Sequence, residues 1–158
     1  MAHEFKAQLV RVVDGDTIDA DIHLGFNMIM RDRIRLMGID TPESRTRNLQ
    51  EKSWGMASKH RLIELLAETD GEFTLHTEEM KKGKFGRVLG TIMVNGKDAN
   101  QVLIDEKLAI PYMGGNKDES RTKYGVVDLW NTDYENPQEH DDDHEHGDEP
   151  EGIDWHAE

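Results

Sequence analysis

Three consecutive segments near the N-terminus constrain the fold most, because each alternates apolar and polar residues and turn residues separate them. The segments are 5–13 (FKAQLVRVV), 17–24 (TIDADIHL) and 28–38 (MIMRDRIRLMG). Alternation with a period of two residues is typical of half-buried β-strands. An Asp-Gly pair at 14–15, between the first two segments, is typical of a hairpin turn. The sequence therefore predicts a three-stranded antiparallel meander.

A helical pattern follows over residues 50–68, where apolar residues such as Trp54, Leu62 and Leu65 recur at helical spacing. We expect these three side chains to lie in the core. The remaining predicted elements are strands at 72–77 and 87–94, a helix at about 98–107 and a short extended segment at 108–112. Three strands, a helix, two strands and a helix predict an α+β fold, namely a five-stranded OB-fold β-barrel with two to three helices.

Charge is distributed unevenly along the chain, whose formal net charge is −14. Residues 1–132 hold all 19 lysines and arginines against 21 acidic residues, whereas residues 133–158 hold the other 12 acidic residues and several histidines. A segment of the latter composition cannot bury enough apolar surface to offset the entropy lost on ordering. We therefore predict a folded domain over 1–132 and a disordered, acidic, histidine-containing tail over 133–158.

Composition excludes several classes of site. The chain has no cysteine, which excludes disulfides, iron–sulfur clusters and thiolate zinc sites. No apolar run is long enough for a signal-peptide core or a membrane span, so we expect a soluble, cytoplasmic monomer that does not bind membranes. The body carries a net charge of only −2, so its clustered arginines remain compatible with nucleic acid binding.

Residues 33–45 (RIRLMGIDTPESR) place several charged groups around the end of the third predicted strand. Phosphodiester hydrolysis needs a metal ion that polarises the phosphate, a carboxylate that accepts the proton of the attacking water, and fixed cations on phosphate oxygens. Calcium takes oxygen ligands, and the planar guanidinium of arginine binds phosphate with paired donors. The residues that could supply these groups are Asp16, Asp40, Thr41, Glu43, Arg35 and Arg87.

Four motifs occur in the order and at the spacing of one known family. They are VVDGDTI, RIRLMGIDTPE, GKFGRVLG and DEKLA, and the helical stretch EKSWGMASKHRL carries Gly55 and Ala57 where that family has them. The chain therefore resembles the staphylococcal nuclease (thermonuclease) family over about residues 5–112. The resemblance implies an OB-fold barrel that hydrolyses DNA and RNA with Ca²⁺ as its cofactor.

The resemblance also implies a role for each candidate residue. Asp16 and Asp40 are implied as calcium carboxylates, and Thr41 is implied as a ligand through its backbone carbonyl. Glu43 resembles the general base. Arg35 and Arg87 resemble the pair that binds the phosphate and stabilises the charge that develops in the transition state.

Three further residues resemble substrate-binding positions of the family. Lys84 is implied as the contact to a terminal phosphate, because Phe85 stands where the family often has a tyrosine. Phe85 can still stack on a base, and Tyr112 resembles a residue that lines the nucleotide pocket. The third helix of the family is expected after about residue 118, where this chain is shorter and interrupted by Gly125. We therefore expect a shortened C-terminal helix.

Several alternatives remain open from the residues alone. Asp14-Gly15-Asp16 is also an ordinary hairpin turn, and alternating arginines also occur on solvated strand faces. The expected function is cleavage of DNA and RNA, preferably single-stranded. The alternatives are a noncatalytic OB-fold module that binds nucleic acid or protein, or an acidic nucleic-acid mimic that acts through its tail. The tail itself is expected to be a solubilising segment. The alternatives are a self-inhibitory contact, a docking site for a protein partner, or capture of transition metals by its histidines.

Overall fold

The computed structural model describes residues 3–78 and 88–135. Its first three strands are β1 (His3–Asp14), β2 (Thr17–Gly25) and β3 (Met28–Leu36), joined by two tight turns. β1 pairs antiparallel with β2, and β2 pairs antiparallel with β3. The predicted meander and its hairpin turn at residues 14–16 are confirmed.

The next elements close the sheet into a barrel. They are β4 (Ile39–Asp40), α1 (Leu49–Ala67), β5 (Glu72–Thr77) and β6 (Val88–Val94). β5 pairs antiparallel with both β1 and β6, and β6 returns to pair in parallel with β3. The β3–β6 pairing joins the two ends of the five-stranded sheet, as the prediction of an OB-fold barrel requires.

Three short elements follow β6. β7 (Lys97–Asp98) pairs antiparallel with the end of β6, and α2 (Ala99–Asp105) follows β7 directly. β8 (Ile110–Pro111) pairs antiparallel with β4. Within the described ranges, no helix has the length and apolar character needed to span a membrane.

The core fills the barrel and the space under α1. Asn48 caps α1 by accepting hydrogen bonds from the backbone N–H groups of Gln50 and Glu51, so the helix begins where the polar loop ends. The buried residues of α1 include Trp54, Leu62 and Leu65, as predicted. Opposite them, the inward residues of the strands are fully buried and include Leu9, Ile18, Ile22, Ile34, Leu75 and Ile92.

A buried asparagine reinforces the barrel closure. Asn100 of α2 donates to the carbonyl of Met37 at 2.9 Å and to that of Gly90 at 3.4 Å. Its side-chain oxygen accepts a hydrogen bond from the N–H of Ile92 at 3.2 Å. Because Met37 follows β3 and the other two partners lie on β6, one side chain joins α2 to both strands of the closing pair.

The C-terminal helix is short, as predicted. α3 (Lys117–Lys123) is capped by Asn116 and is soon followed by Gly125, whose φ is +72°. The chain then returns to the body, where the indole N–H of Trp130 donates to the carbonyl of Lys107 at 3.1 Å. This segment holds α3 against the end of the barrel that carries β4.

The segment at the predicted domain boundary packs on α1. The indole N–H of Trp54 donates to the carbonyl of Thr132 at 2.8 Å, and the ring of Tyr134 lies 4.9 Å from that of Trp54 in an edge-to-face arrangement. Tyr134 lies beyond the predicted boundary at residue 132. Residues 136–158 lie outside the described residues, so a disordered tail stays a prediction.

Candidate active site

The predicted site residues come from two neighbouring parts of the barrel. Asp16 lies in the turn between β1 and β2, and Arg35 lies near the end of β3. The other predicted residues in the described ranges, Asp40, Thr41 and Glu43, begin at the end of β4. Arg87, Lys84 and Phe85 lie outside the described residues, so their roles stay predictions.

Strand pairing brings Asp16 and Arg35 together. Thr17 of β2 pairs with Arg35 of β3, and the backbone N–H of Leu36 donates to the carbonyl of Asp16 at 2.8 Å. As a result, Arg35 Nη1 lies 3.3 Å from Asp16 Oδ2, and Thr17 Oγ1 donates to Asp16 Oδ1 at 2.9 Å. Both side chains of the ion pair keep a small exposed face through which a ligand could reach them.

Asp40 is the most deeply buried carboxylate of the site, with 1% of its side chain exposed. Arg121 Nε donates to Asp40 Oδ2 at 3.0 Å, and Lys117 Nζ lies 3.5 Å from Asp40 Oδ1. Asp40 Oδ1 has no hydrogen-bond partner in the described part of the chain. A buried carboxylate is costly unless charged or polar partners compensate it, and the two cations of α3 are such partners for Asp40.

The turn that carries Glu43 is held by α1. The backbone N–H of Glu43 donates to Glu51 Oε2 at 2.9 Å, and the hydroxyl of Ser44 donates to Asp14 Oδ1. Gly55 lets α1 approach this turn closely, since a Cβ there would lie 2.5 Å from the carbonyl carbon of Glu43 and 2.7 Å from Ser44 Cα. Glu43 is therefore fixed by backbone contacts on more than one side.

Four charged side chains act on the pKa of Glu43. Burial raises the pKa of Glu43 above its usual value of 4.5; Lys117 and Arg121 oppose this shift, whereas Asp16 and Asp40 add to it. Glu43 therefore interacts electrostatically with both predicted calcium carboxylates and with both cations of α3. A carboxylate with a raised pKa is more basic, which suits a group that accepts a proton from water.

The residues present fit a hard divalent cation such as calcium. Asp16, Asp40 and the Thr41 carbonyl offer only oxygen atoms, and the buried Asp40 Oδ1 lacks a hydrogen-bond partner in the described residues. Among the described residues, no group of three or more His, Asp or Glu side chains forms a candidate metal cluster. The predicted set contains only two carboxylates, so water and substrate oxygens would complete the six to eight ligands that calcium usually takes.

Tyr112 lies beside the same site. Its backbone N–H donates to the carbonyl of Gly38 at 2.8 Å, and its hydroxyl donates to the carbonyl of Gly115 at 2.8 Å. Lys117 Nζ lies 5.8 Å from the centre of the Tyr112 ring and also contacts Asp40. The ring is therefore close to the predicted calcium ligands, and its contact with a nucleotide stays a prediction.

Sequence reasoning missed three residues of the site. Glu51, Lys117 and Arg121 contact the predicted residues, yet none of them was a candidate. Burial alone would lower the pKa of Arg121, but Asp40 and Glu51 outweigh it and raise that pKa. The signal available in the sequence was weak, because a single arginine in a polar helix resembles any surface arginine.

The chain is similar to proteins of one known family. Residues 33–128 match the family model described as staphylococcal nuclease homologue. The chain is similar to the endonuclease YncB of Bacillus subtilis, with 32% identity over 73% of this chain and 51% of that protein. It is 28% identical to the thermonuclease of Staphylococcus hyicus, over 68% of this chain and 60% of that protein.

A third relative is an uncharacterized protein, MJ1439, of Methanocaldococcus jannaschii, which is 30% identical over 67% of this chain and 56% of its own length. The chain thus spans between half and three fifths of the length of these three relatives. The family model alone covers more than half of the chain and includes Arg35, Asp40, Thr41 and Glu43. The chain therefore belongs to the staphylococcal nuclease family.

Proposed function

We propose that this protein is a calcium-dependent nuclease that hydrolyses phosphodiester bonds of DNA and RNA. The observation that carries the proposal is the buried Asp40 carboxylate, whose Oδ1 has no hydrogen-bond partner in the described residues, next to the Thr41 carbonyl. Asp16 and Asp40 are among the charged groups that act on the pKa of Glu43, which supports an oxygen-rich site formed by these three residues. The relatives named endonuclease and thermonuclease support the same reaction class.

Asp16, Asp40 and the Thr41 carbonyl would bind the cation. When bound there, calcium polarises the phosphate and increases the acidity of an adjacent water molecule. The burial of Asp40 favours this role, because charge interactions are less screened in an environment from which water is excluded.

Glu43 would accept the proton of the attacking water. Its backbone is held by Glu51 and by the contact with Gly55, so the side chain projects from a defined position of the turn. A positioned general base contributes about 10²- to 10⁴-fold to a rate. As the water oxygen bonds to phosphorus, the bond between phosphorus and the leaving oxygen would break, and that oxygen would take a proton from solvent to leave as a hydroxyl. Protonated Glu43 would then return its own proton to solvent.

Arg35 would bind the phosphate and stabilise the negative charge that develops on it. Its Nη1 lies 3.3 Å from Asp16 Oδ2, so the guanidinium already lies beside one of the proposed calcium ligands. We propose that Arg87 supplies the second guanidinium. Two planar guanidinium groups can make paired hydrogen bonds to phosphate oxygens.

We further propose that single-stranded or fraying nucleic acid is the preferred substrate. Tyr112 lies beside the site with its ring near Lys117, and Phe85 provides a second aromatic face in the sequence. Base stacking on aromatic side chains tolerates any sequence, but it requires bases that are free of their partner strand. Lys84 is proposed to bind a terminal phosphate.

The test is digestion by the purified full-length protein of labelled single-stranded DNA, duplex DNA and RNA of one sequence, with calcium or with EGTA. We expect cleavage of all three with calcium, fastest on the single strands, and none with EGTA. Equal cleavage with EGTA would refute the calcium requirement. Binding without cleavage in calcium would refute the nuclease and favour the noncatalytic module.

Truncation after Glu135 separates the nuclease from an acidic mimic that acts through its tail. This variant keeps Tyr134, which packs on Trp54. We expect it to keep its rate of hydrolysis, or to exceed the wild-type rate if the tail covers the site. Loss of all nucleic-acid-directed activity in this folded variant would contradict the nuclease assignment.

A further inference from the structure

Arg121 of α3 binds three acceptors of the site at once. Its Nε donates to Asp40 Oδ2 at 3.0 Å, its Nη1 donates to Glu51 Oε2 at 2.8 Å, and its Nη2 donates to the Thr41 carbonyl at 3.2 Å. Only 15% of its side chain is exposed. The planar guanidinium has donors in a fixed arrangement, so these three bonds set the relative positions of their acceptors.

The contact with Glu51 also links Arg121 to Glu43. The same Glu51 Oε2 that accepts from Arg121 also accepts from the backbone N–H of Glu43 at 2.9 Å. The centre of the Trp130 ring lies 5.0 Å from Arg121 Cζ, a cation–π contact that further restricts the guanidinium. Arg121 therefore binds Asp40 and Thr41 directly and is connected to Glu43 through Glu51.

Lys117 lies one helical turn before Arg121 and makes a different kind of contact. Its Nζ lies 3.5 Å from Asp40 Oδ1, and 44% of its side chain is exposed. The contact leaves Oδ1 without a hydrogen bond in the described residues. An exposed, flexible ammonium group can leave such a position at little cost, whereas Arg121 is held by several partners.

We propose that Arg121 is a positioning residue that holds Asp40 and the Thr41 carbonyl so that Asp40 Oδ1 faces the divalent cation, and that Lys117 is an exchangeable counter-cation for Oδ1. The proposal rests on the proposed function, because it takes Asp40 and Thr41 as calcium ligands. Lys117 neutralises Asp40 while no divalent cation is bound and withdraws when one binds. Arg121 stays in place in both states.

The two cations allow a clear test, because loss of a charge and loss of a positioning group change the calcium affinity in opposite directions. If α3 acts only through its charge, loss of either cation removes repulsion and tightens calcium binding. Loss of a group that orients a metal ligand instead weakens metal binding by about 10- to 100-fold. We therefore expect Lys117→Gln to tighten binding and Arg121→Gln to weaken it by about tenfold or more.

Calorimetric titration of the full-length variants with CaCl₂ measures this directly and does not depend on activity. Arg121→Lys is included because it keeps the charge but cannot reach three acceptors, so we expect it to bind calcium more weakly than the wild type. Tighter binding by both glutamine variants, or full wild-type affinity in Arg121→Lys, would overturn the positioning role.

A second measurement in EGTA tests Arg121 independently of calcium. Amide hydrogen exchange at Glu43 should accelerate by about tenfold in Arg121→Gln and not in Lys117→Gln, because the Glu43 N–H depends on Glu51. The amide of Leu36, bonded to the Asp16 carbonyl, is the internal reference for global stability. Unchanged exchange at Glu43, or equal acceleration at Glu43 and Leu36, would overturn the proposal.

The two measurements also separate the two proposals. If the wild type binds no calcium, the proposed cofactor is wrong, and the exchange at Glu43 still decides whether Arg121 positions the turn. If Arg121→Gln does not fold, Arg121→Lys is measured in its place with the same expected direction. Wild-type calcium binding with unaltered Glu43 exchange in the Arg121 variants would refute the positioning role alone.

Discussion

Substitution of Gly55 by alanine tests the contact that joins the helix to the proposed general base. A Cβ at position 55 would lie 2.5 Å from the carbonyl carbon of Glu43 and 2.7 Å from Ser44 Cα. These neighbours are backbone atoms that cannot rotate away. Glu51 and Asp14 also hold the turn through Glu43 and Ser44, so either the turn or α1 must shift.

The expected loss of stability in Gly55→Ala follows from two opposing effects. Overpacking a close contact costs about 1–3 kcal/mol, and the upper end applies here because backbone must move. Alanine gains about 1 kcal/mol over glycine in a helix interior, which leaves a net loss of about 2 kcal/mol. Since a displacement of about 1 Å can reduce a rate by 10²-fold, we expect a similar loss of hydrolysis in this variant.

Urea unfolding, followed by the fluorescence of the buried Trp54 and Trp130, measures the stability of Gly55→Ala. With an m-value of about 2 kcal/mol/M, the midpoint should fall by about 1 M. Lys52→Ala, an exposed change on the first turn of the same helix, should alter stability by less than about 0.5 kcal/mol. If Gly55→Ala is as stable and as active as the wild type, the close approach of α1 to Glu43 is wrong.

Two further predictions concern the barrel. Asn100→Ala leaves buried partners of the β3–β6 closure without their hydrogen bonds. Urea unfolding should therefore show that the free energy of unfolding falls by about 2–3 kcal/mol. A fall below about 0.5 kcal/mol would contradict this role of Asn100. The hydrogen bond from Arg33 lowers the pKa of Asp19 below 3.8 in the folded protein. The ionised Asp19 therefore stabilises the fold above pH 3.8, and this stabilisation is lost as the pH falls through the folded-state pKa. Asp19→Asn should therefore be less stable than the wild type at pH 7, and the difference should shrink below pH 3.8; a difference independent of pH would contradict the assignment.

Local sequence patterns predicted most elements of the barrel. The alternation over 17–24 and 72–77 and the helical spacing over 50–68 gave bounds within one residue of β2, β5 and α1, because each pattern depends on neighbours in sequence. The parallel pairing of β3 with β6 was not visible in any such pattern. It depends on distant segments and on Asn100, whose polar side chain gives no sign that it is buried.

The sequence predicted the site residues that lie within the family motifs, but not those that lie outside them. The motifs identified Asp16, Arg35, Asp40 and Glu43, which the structure brings to the same end of the barrel. Arg121 lies 81 residues after Asp40, in a segment outside the recognised motifs. Its role depends on how α3 folds back, and helical spacing in a seven-residue polar helix cannot predict that.

The rate of hydrolysis by Glu43→Gln tests the central claim most directly. The substitution keeps the size of the side chain and removes the carboxylate that would accept the proton of water. With calcium and saturating single-stranded DNA, we expect the single-turnover rate to fall by about 10²- to 10⁴-fold. Glu72→Gln, an exposed change on β5, should keep the wild-type rate. A rate for Glu43→Gln within twofold of the wild type would contradict the assignment of Glu43 as the general base.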